Sequence, residues 1–383
     1  MIIYRTQDNE RLCDVAAKFR INPIILSDIN DLHINTPLAS NTPLVIPQPT
    51  KTYIVKKTDT INKICERFKI KPNSLKRYNS SLCDSCELYE GQPLIIKQNE
   101  PYCRIATNGY FGSDTSKQKA QALLPYLSFI TVCGCVINEK NTVFLFDDTY
   151  PIKLARDNGK GILLRAYVKK RLTKEELTER IKECLGYAKS KEYWGLVVSG
   201  NNDCIAFCRE NSKEVSEYAK NMRLAILYEL DRSGFKSYDF VPHSIISYDK
   251  YNNDCQYTFE EGEKSFYKRI SDDSDVSRSF IDLCGYAAYK DRYLPKEEIS
   301  KIYKNRRTVI SHNENTLLDS ISFFNKSKPI LTESPENTKA KLELINELGW
   351  LGASFDISRI MASELYMITS MFDVIDKPTA FYC

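Results

Sequence analysis

The first hundred residues carry one sequence pattern twice, and this repeat restricts the possible folds more than any other feature of the chain. The segment YRTQDNERLCDVAAKFRINPIILSDIN, which begins at Tyr4, aligns with YIVKKTDTINKICERFKIKPNSLKRYN, which begins at Tyr53. The offset is constant as far as the pair Asn30 and Asn79, and it then grows by one residue in the following loop. Loops tolerate insertions, so the chain begins with two copies of one small unit.

Both copies predict the same order of elements. A short strand leads into a polar turn, a helix follows with apolar residues at helical spacing, a second helix begins at Pro23 or Pro72, and a strand closes the unit. Asn41 precedes the closing strand in the first copy and Gly91 in the second, and both residue types accept a positive φ. The predicted strands are residues 4–6, 44–46, 53–55 and 94–96.

The repeated pattern resembles the LysM module, most clearly in the second copy, which reads YIVKKTDTI…ICERF and closes on EGQPLII. The resemblance implies βααβ modules at residues 1–48 and 51–98 that bind N-acetylglucosamine polymers such as peptidoglycan and chitin. It places the glycan in a shallow groove between the first turn and the loop after the second helix. The turn residues expected to contact glycan are Thr58, Asp59, Thr60 and Ile61 in the second copy and Asn9, Glu10, Arg11 and Leu12 in the first.

The other wall of each groove is expected at residues 81–87 and 32–36. The first copy departs from the family pattern, because Asn9-Glu10-Arg11 stands where the second copy has Thr58-Asp59-Thr60. Asp59 or Thr60 is also the candidate N-cap of the first helix in the second copy. For either copy the alternative is a folded module that has lost its affinity for glycan and acts as a spacer.

After Cys103, apolar β-rich runs alternate with amphipathic helical stretches, which favours a parallel sheet covered on both sides. Eight such runs predict a (β/α)8 barrel over residues 103–383. A Rossmann-type open sheet is the alternative, but no glycine-rich turn follows the first strand. The predicted strands are 104–110, 127–133, 161–167, 194–199, 222–228, 244–248, 279–287 and 351–357, and the clearest helices are 174–190, 209–220, 296–304 and 336–348.

Composition excludes several classes of function. A net charge of +4 over 383 residues is too small for a nucleic-acid-binding surface, and no apolar run is long enough to span a membrane. The charged N-terminus has no signal-peptide pattern, which places the protein in the cytoplasm of the producing cell unless another route exports it. Cys83 and Cys86 form one CxxC without a second pair, and the three histidines are far apart, so we expect no metal and no cofactor.

Three segments of the long C-terminal region resemble glycoside hydrolase family 18. LTKEELTERIKECLGYAKSKEYWGLVVSGNN is similar to the family's sequence through strand four, IISYD to its signature on strand six, and ENTKAKLELINELGWLGASFDIS to its last helix and strand eight. LysM modules followed by such a barrel are most similar to the spore-associated glucosaminidases of endospore-forming bacteria. The resemblance implies cortex peptidoglycan as the ligand, deposition on the spore coat or cortex, and spore coat proteins as further partners.

The catalytic motif of that family is incomplete in this sequence. Family members use the substrate's own acetamide as nucleophile, and they need a glutamic acid at the end of strand four to protonate the leaving oxygen. An aspartate two residues earlier orients the acetamide. The glutamate position falls on Asn201, the aspartate position on Ser199, and an earlier motif aspartate on Val197. Asparagine cannot donate a proton to a leaving alkoxide, so the motif predicts an inactive site.

Other residues of the family's site are partly retained. Tyr248 and Asp249 remain on strand six, where a buried hydrogen-bonded pair that only holds strands together is the alternative role. Asp356 stands where the family has its platform tryptophan on strand eight, so the aromatic floor of the sugar site is lost. Asp203, two residues beyond the acid position, and Asp231, after strand five, are candidates for a substitute acid.

The preferred interpretation is a peptidoglycan-binding spore protein whose barrel is a pseudoenzyme that serves as a packing surface or a weak sugar site. The alternative is an active N-acetylglucosaminidase that hydrolyses cortex peptidoglycan during germination with a relocated acid. A third interpretation, in which modules and barrel recruit a partner protein, makes the same sequence predictions as the first.

Overall fold

The structure is a computed structural model of all 383 residues. It describes residues 1–35, 37–84, 87–169, 172–200, 212–230, 244–246, 277, 279–283, 287–289, 292–294, 296–305, 308–314, 318–323 and 330–379.

The N-terminal region consists of two small units with the same order of elements. In each unit the first and last strands pair antiparallel and two helices lie between them in sequence, with a further single helical turn in the second unit. The first unit contains β1 (Ile2–Arg5), α1 (Leu12–Phe19), α2 (Pro23–Asn30) and β2 (Pro43–Ile46). The second contains β3 (Lys51–Ile54), α3 (Ile61–Phe68), α4 (Pro72–Tyr78), a single turn α5 (Ser81–Asp84) and β4 (Pro93–Lys97).

The two units also share their internal hydrogen bonds. The Asn79 amide donates to the carbonyls of Leu75 and Ile95 and accepts from the Ile95 amide, which joins α4 to β4. Asn30 makes the equivalent bonds between α2 and β2. Asn41 has a φ of 65° and Gly91 a φ of 85°, as the turn before each closing strand predicts. The predicted sequence repeat is therefore confirmed as a repeat of structure.

Eight parallel strands in the described part of the chain close into a barrel. Their neighbours follow chain order around the ring, and the last strand pairs with the first. The barrel strands are β5 (Cys103–Phe111), β6 (Phe129–Ile137), β8 (Gly161–Val168), β9 (Gly195–Gly200), β10 (Ala225–Leu230), β11 (Ser244–Ile246), β12 (Phe280–Leu283) and β18 (Gly352–Asp356). β7 (Thr142–Phe144) adds antiparallel to β6, and β19 (Phe372–Val374) adds parallel to β5.

Helices follow most of these strands, so the strands are covered on the outside by a large apolar core. The described helices are α6 (Lys117–Leu123), α7 (Thr149–Asp157), α8 (Lys174–Ser190), α9 (Ser212–Asn221), α10 (Lys296–Tyr303), α11 (Pro335–Leu348) and α12 (Ala362–Met371), and a 3₁₀ turn spans Leu124–Tyr126. Thr173 caps α8 and forms a capping box with Glu176, which explains why the predicted bounds 174–190 agree with the structure.

The prediction of one strand over residues 279–287 is wrong. Its first part is the barrel strand β12, while Ala287 begins β13 in a separate antiparallel sheet of five strands. The sheet contains β13 (Ala287–Tyr289), β14 (Arg292–Leu294), β15 (Thr308–Asn313), β16 (Leu318–Phe323) and β17 (Ile330–Glu333). It is inserted between the last two barrel strands, and the sequence analysis did not predict it.

The N-terminal units pack directly against the barrel domain. Helix α12 contacts α2, α4 and α11, and nine of its ten residues are buried. Arg77 of α4 has a side chain only 5% exposed and binds the Pro125 carbonyl and the Asp376 carboxylate. Arg5 of β1 binds Asp319 of the inserted sheet and Glu336 of α11. The two units and the barrel domain therefore form one packed body.

Candidate functional site

The first turn of the second unit is held by one hydrogen-bonded group. The Asp59 carboxylate accepts from the Tyr53 hydroxyl at 2.6 Å and from the Lys56 amide at 2.8 Å, and Arg67 in turn donates to the Tyr53 hydroxyl. The bond from Tyr53 lowers the pKa of Asp59. Thr60 accepts from the Lys63 amide and so caps α3. Asp59 and Thr60 thus shape the turn.

Thr58 is the residue of this turn best placed to meet a ligand. Its side chain is exposed, while Asp59 and Ile61 are half-buried. In the segment predicted as the opposite wall, Ser81 hydrogen-bonds Asp28 of the first unit. Ser85 and Cys86 of the predicted wall lie outside the described residues.

The first unit repeats the same group with different residues. Glu10 accepts from the Tyr4 hydroxyl and the Gln7 amide, both at 2.9 Å, and Lys18 donates to the Tyr4 hydroxyl at 2.9 Å. Asn9 and Arg11 are exposed, and Asn9 has a φ of 60°. Leu12 is fully buried in the core of the unit, so its side chain is not available to a glycan, contrary to the expectation from its place in the turn.

The barrel interior changes from apolar to polar toward the carboxyl ends of its strands. Alternate residues face inward, and the lower layer is an apolar cluster that includes Ala106, Phe129, Leu163, Val197, Leu227 and Phe280. One step further along the strands, the inward positions carry polar or charged side chains. These are Asn108, Thr131, Arg165, Ser199, Glu229, Asp282 and Ser354.

Arg165 and Glu229 form the charged centre of this layer. Their Nε and Oε2 atoms are 2.6 Å apart, and the two side chains are 15% and 5% exposed. The guanidinium also lies over the rings of Tyr110 and Tyr167, at 5.7 Å and 5.8 Å from the ring centres. Each of the two opposite charges offsets part of the free-energy cost of burying the other.

Tyr110 and Ser199 bring hydroxyl groups to the same region without partners among the described residues. Burial, with Glu229 and Asp282 nearby, raises the pKa of Tyr110 well above its usual value, so the phenol is neutral and able to donate. Ser354 donates to Asp282 at 3.2 Å. The interior therefore offers donors and acceptors to a polar group that enters from the mouth.

The structure places some of the family 18 positions and leaves others undescribed. Val197 lies in the apolar layer of the barrel, and Ser199 is buried at the end of β9. Both positions therefore lack the motif's carboxylates. Asn201, Asp203, Asp231, Tyr248 and Asp249 lie outside the described residues.

Asp356 lies at the barrel mouth, where the Ser358 hydroxyl also donates to Asp114 at 3.3 Å. It ends β18, in register with Tyr110 of β5. Its Oδ1 atom accepts from the Ser358 amide at 2.8 Å and hydroxyl at 2.6 Å, and Arg359 lies 3.4 Å from Oδ2. Burial raises the pKa of Asp356, so this carboxyl group holds its proton to a higher pH than a solvent-exposed aspartate does.

Arg165, Glu229 and Asp282 were missed as site residues in the sequence analysis. Each is a single charged residue inside an apolar run, in GILLRAYV, LAILYEL and SFIDLCG. A lone charge in a buried strand needs a partner, and this signal identifies inward-facing polar positions of a barrel.

No group of three metal-ligating side chains occurs among the residues that the structure describes. Within that same part of the chain, no helix combines the length and the apolar character needed to cross a bilayer.

Comparison with known proteins identifies one module and the whole fold. Residues 53–97 match the family model of the LysM domain. No curated protein matches the chain at a significant level of sequence similarity.

Solved structures resemble the chain over its full length or over the barrel. The spore cortex-lytic enzyme SleL of Bacillus cereus has a TM-score of 0.67 at 14% identity, and the match covers 99% of both chains. A chitinase from Chromobacterium violaceum matches with a TM-score of 0.56 at 10% identity, over 70% of this chain and 98% of its own. Human YKL-39, a pseudo-chitinase with retained chitooligosaccharide binding properties, gives 0.50 at 10% identity over 69% of this chain and 98% of its own. Identities this low establish a shared fold and nothing beyond it.

Proposed function

We propose that this chain is a peptidoglycan-binding protein of the bacterial spore, in which two LysM modules hold N-acetylglucosamine polymer and the family 18-like barrel does not hydrolyse it. The observation that carries the binding part is the LysM match of residues 53–97, whose first turn presents Thr58 to solvent. The first unit shares the element order and internal hydrogen bonds of the second, which supports a second module there. The likeness to SleL over the whole chain supports the spore as the location.

The missing carboxylates at the end of β9 support an inactive barrel. Val197 is part of the apolar layer and Ser199 carries a hydroxyl, so neither orients an acetamide as an aspartate does. The sequence has Asn201 at the position of the proton donor. General acid catalysis contributes about 10²–10⁴-fold to rate, and its loss together with the orienting carboxylate leaves little turnover. The polar interior then serves as a weak sugar-binding site.

A binding assay on purified cortex peptidoglycan tests the first part of the proposal. Thr58→Glu adds bulk and negative charge to the exposed turn, and we expect it to weaken sedimentation with peptidoglycan at least about tenfold. Thr52→Glu makes the same substitution at an exposed position of β3, away from the turn, and is expected to bind like the unmodified chain. Equal binding by both variants would exclude the groove at Thr58. Arg11→Glu applies the same test to the first module.

Hydrolysis with a relocated acid is the second candidate function, and the place of Asp356 at the barrel mouth favours it. Release of reducing sugar from cortex peptidoglycan distinguishes the two. We expect no release above background. Release that disappears in Asp356→Asn or in Asp203→Asn, while peptidoglycan binding is kept, would establish a glucosaminidase and identify its acid.

A further inference from the structure

A cavity of about 490 Å³ lies where the second LysM-like unit meets the barrel. Asn73 and Lys76 of α4 line one side, and Gln118 and Gln121 of α6 line another. Lys160 lines its floor and immediately precedes β8. The cavity therefore lies on the face at the amino ends of the barrel strands, opposite the mouth that holds Asp356, and it is separate from both sites described above.

The lining is cationic and rich in amides. Among the described residues, Lys76, Lys160 and Lys377 line the cavity together with four amide side chains, and Asp376 is the one carboxylate of that lining. Asp376 is already engaged, because its Oδ1 atom accepts from Arg77 and, at 3.2 Å, from Asn73. The Lys160 ammonium therefore shares this carboxylate with Arg77 and Asn73, and its Nζ atom lies 3.9 Å from Oδ1.

Lys160 is the most unusual of these groups. The residue is 5% exposed, and its ammonium donates to the Asp376 carbonyl at 3.0 Å but lies 3.9 Å from the carboxylate oxygen. Burial lowers the pKa of Lys160 to about 8; Asp376 acts in the opposite direction, and the cations Arg77 and Lys377 lower the pKa further. A buried ammonium beside an open polar cavity is stabilised when an anion enters.

We propose that this cavity binds a small polar ligand that carries an oxyanion, either a carboxylate or a phosphate group. The lysines neutralise the oxyanion. A lysine ammonium is a compact point charge, so it pairs with a carboxylate or with a phosphate group. The four amides, which both donate and accept, bind hydroxyl and amide groups on the rest of the ligand. The volume is sufficient for a ligand the size of a sugar acid. The site is independent of glycan binding at the module turns.

Isothermal titration of the full chain with three probes tests the proposal. N-acetylmuramic acid and N-acetylglucosamine share a ring and an acetamide, and only the first has a carboxylate; inorganic phosphate is the bare oxyanion. We expect binding of an anionic probe and none of N-acetylglucosamine at the same concentration. Tighter binding of N-acetylmuramic acid assigns a sugar acid as the ligand, and tighter binding of phosphate assigns a phosphate group. Failure of both anions to bind overturns the proposal.

Point substitutions locate the anion. Lys377→Ala removes an exposed lysine of the lining and is expected to weaken anion binding at least about fivefold. Lys153→Ala removes an equally exposed lysine of α7 outside the lining and is expected to have no effect. Thr58→Glu is also expected to leave anion binding unchanged, which separates this site from the module turn. Anion binding that survives in Lys377→Ala and in Lys160→Met contradicts the assignment.

The pH dependence gives a second readout. The charged or titratable groups that face Lys160 are Lys76 and Arg77 from α4, Cys83 from α5, and Asp376 and Lys377 from the segment after β19. Because the anion prefers the protonated ammonium, binding is expected to be about tenfold weaker at pH 9 than at pH 7. Lys160→Met is expected to remove this difference. An unmodified chain that binds equally at both pH values would overturn the role of Lys160.

Discussion

Arg165 and Glu229 show how much of the site depends on single residues. Each interrupts an apolar strand, and their side chains meet inside the barrel at 2.6 Å. The sequence locates both residues within strands but does not show that their side chains meet, because β9 lies between the two strands and the contact forms only in the folded barrel.

Substitution of one member of this pair is expected to destabilise the fold. Arg165→Met leaves the Glu229 carboxylate buried without its cation, which costs about 3–5 kcal/mol in the free energy of unfolding. The double variant Arg165→Met with Glu229→Leu removes both charges and is expected to recover most of that loss. Chemical denaturation of the single and double variants measures the coupling. Additive losses would show that the two charges do not depend on each other.

The module turns were predicted at the right places, but several roles differ. Thr60 caps α3 as one of the two predicted candidates, because a threonine before a helix accepts a bond from its first turn. Asp59 and Glu10 are bound to tyrosines of the preceding strands. Leu12 is in the core. The residue types of a turn can be predicted from sequence, whereas side-chain direction depends on packing that the local sequence does not show.

At the scale of elements, the repeat and the barrel strands were predictable because their patterns are local. Apolar spacing identifies a helix, and a continuous apolar run between helices identifies a strand of a covered parallel sheet. The inserted sheet was not predictable in this way. Its strands are three to six residues long, and β13 pairs with β17 across more than forty intervening residues. Pairing at that distance leaves no periodic signal in either strand.

The seam between β18 and β5 requires glycine at position 352. A Cβ atom there would lie 1.7 Å from the Ala106 carbonyl oxygen, so Gly352→Ala must push the first and last barrel strands apart. We expect a loss of about 3 kcal/mol or more in the free energy of unfolding. Gly186→Ala is the matched control, because a Cβ at that helical position meets nothing within 4 Å. It is expected to stabilise by about 0.5–1 kcal/mol. Thermal unfolding of both variants checks the prediction, and equal melting temperatures would contradict it.

At the scale of the whole molecule, the two N-terminal units are structural parts of the barrel domain. Helix α12 is buried around nearly its whole circumference, and it contacts α2 and α4 of the two N-terminal units. The sequence around residues 46–51 and 97–103 has the proline-rich and polar composition of linkers, yet Gln98 is buried and accepts from Tyr366 of α12 at 3.1 Å. Linker composition did not predict this packing, because the contacts are made by residues far away in sequence.

Removal of residues 1–98 is therefore expected to expose α12 and cause aggregation. The free energy gained by burying apolar surface is about 25 cal/mol per Å², and the truncated chain leaves the outer face of this helix in water. Size-exclusion chromatography measures the outcome, and coexpression of the separate segment 1–98 is expected to restore a soluble complex. A truncated barrel that elutes as a stable monomer would show that the modules contribute little to the fold.

Under the proposed function, the covered helix also determines how a polymer bound by the modules is presented to the barrel. Modules on flexible linkers sample many distances, and the second contact then depends on linker length. Here Arg77 and α12 hold the modules at one distance and one angle from the barrel mouth. Under the proposed function, we therefore expect a strand bound by the modules to take one fixed position and one polarity relative to the barrel. We expect such a chain to select among polymer strands by their geometry and to gain no avidity from modules that search independently.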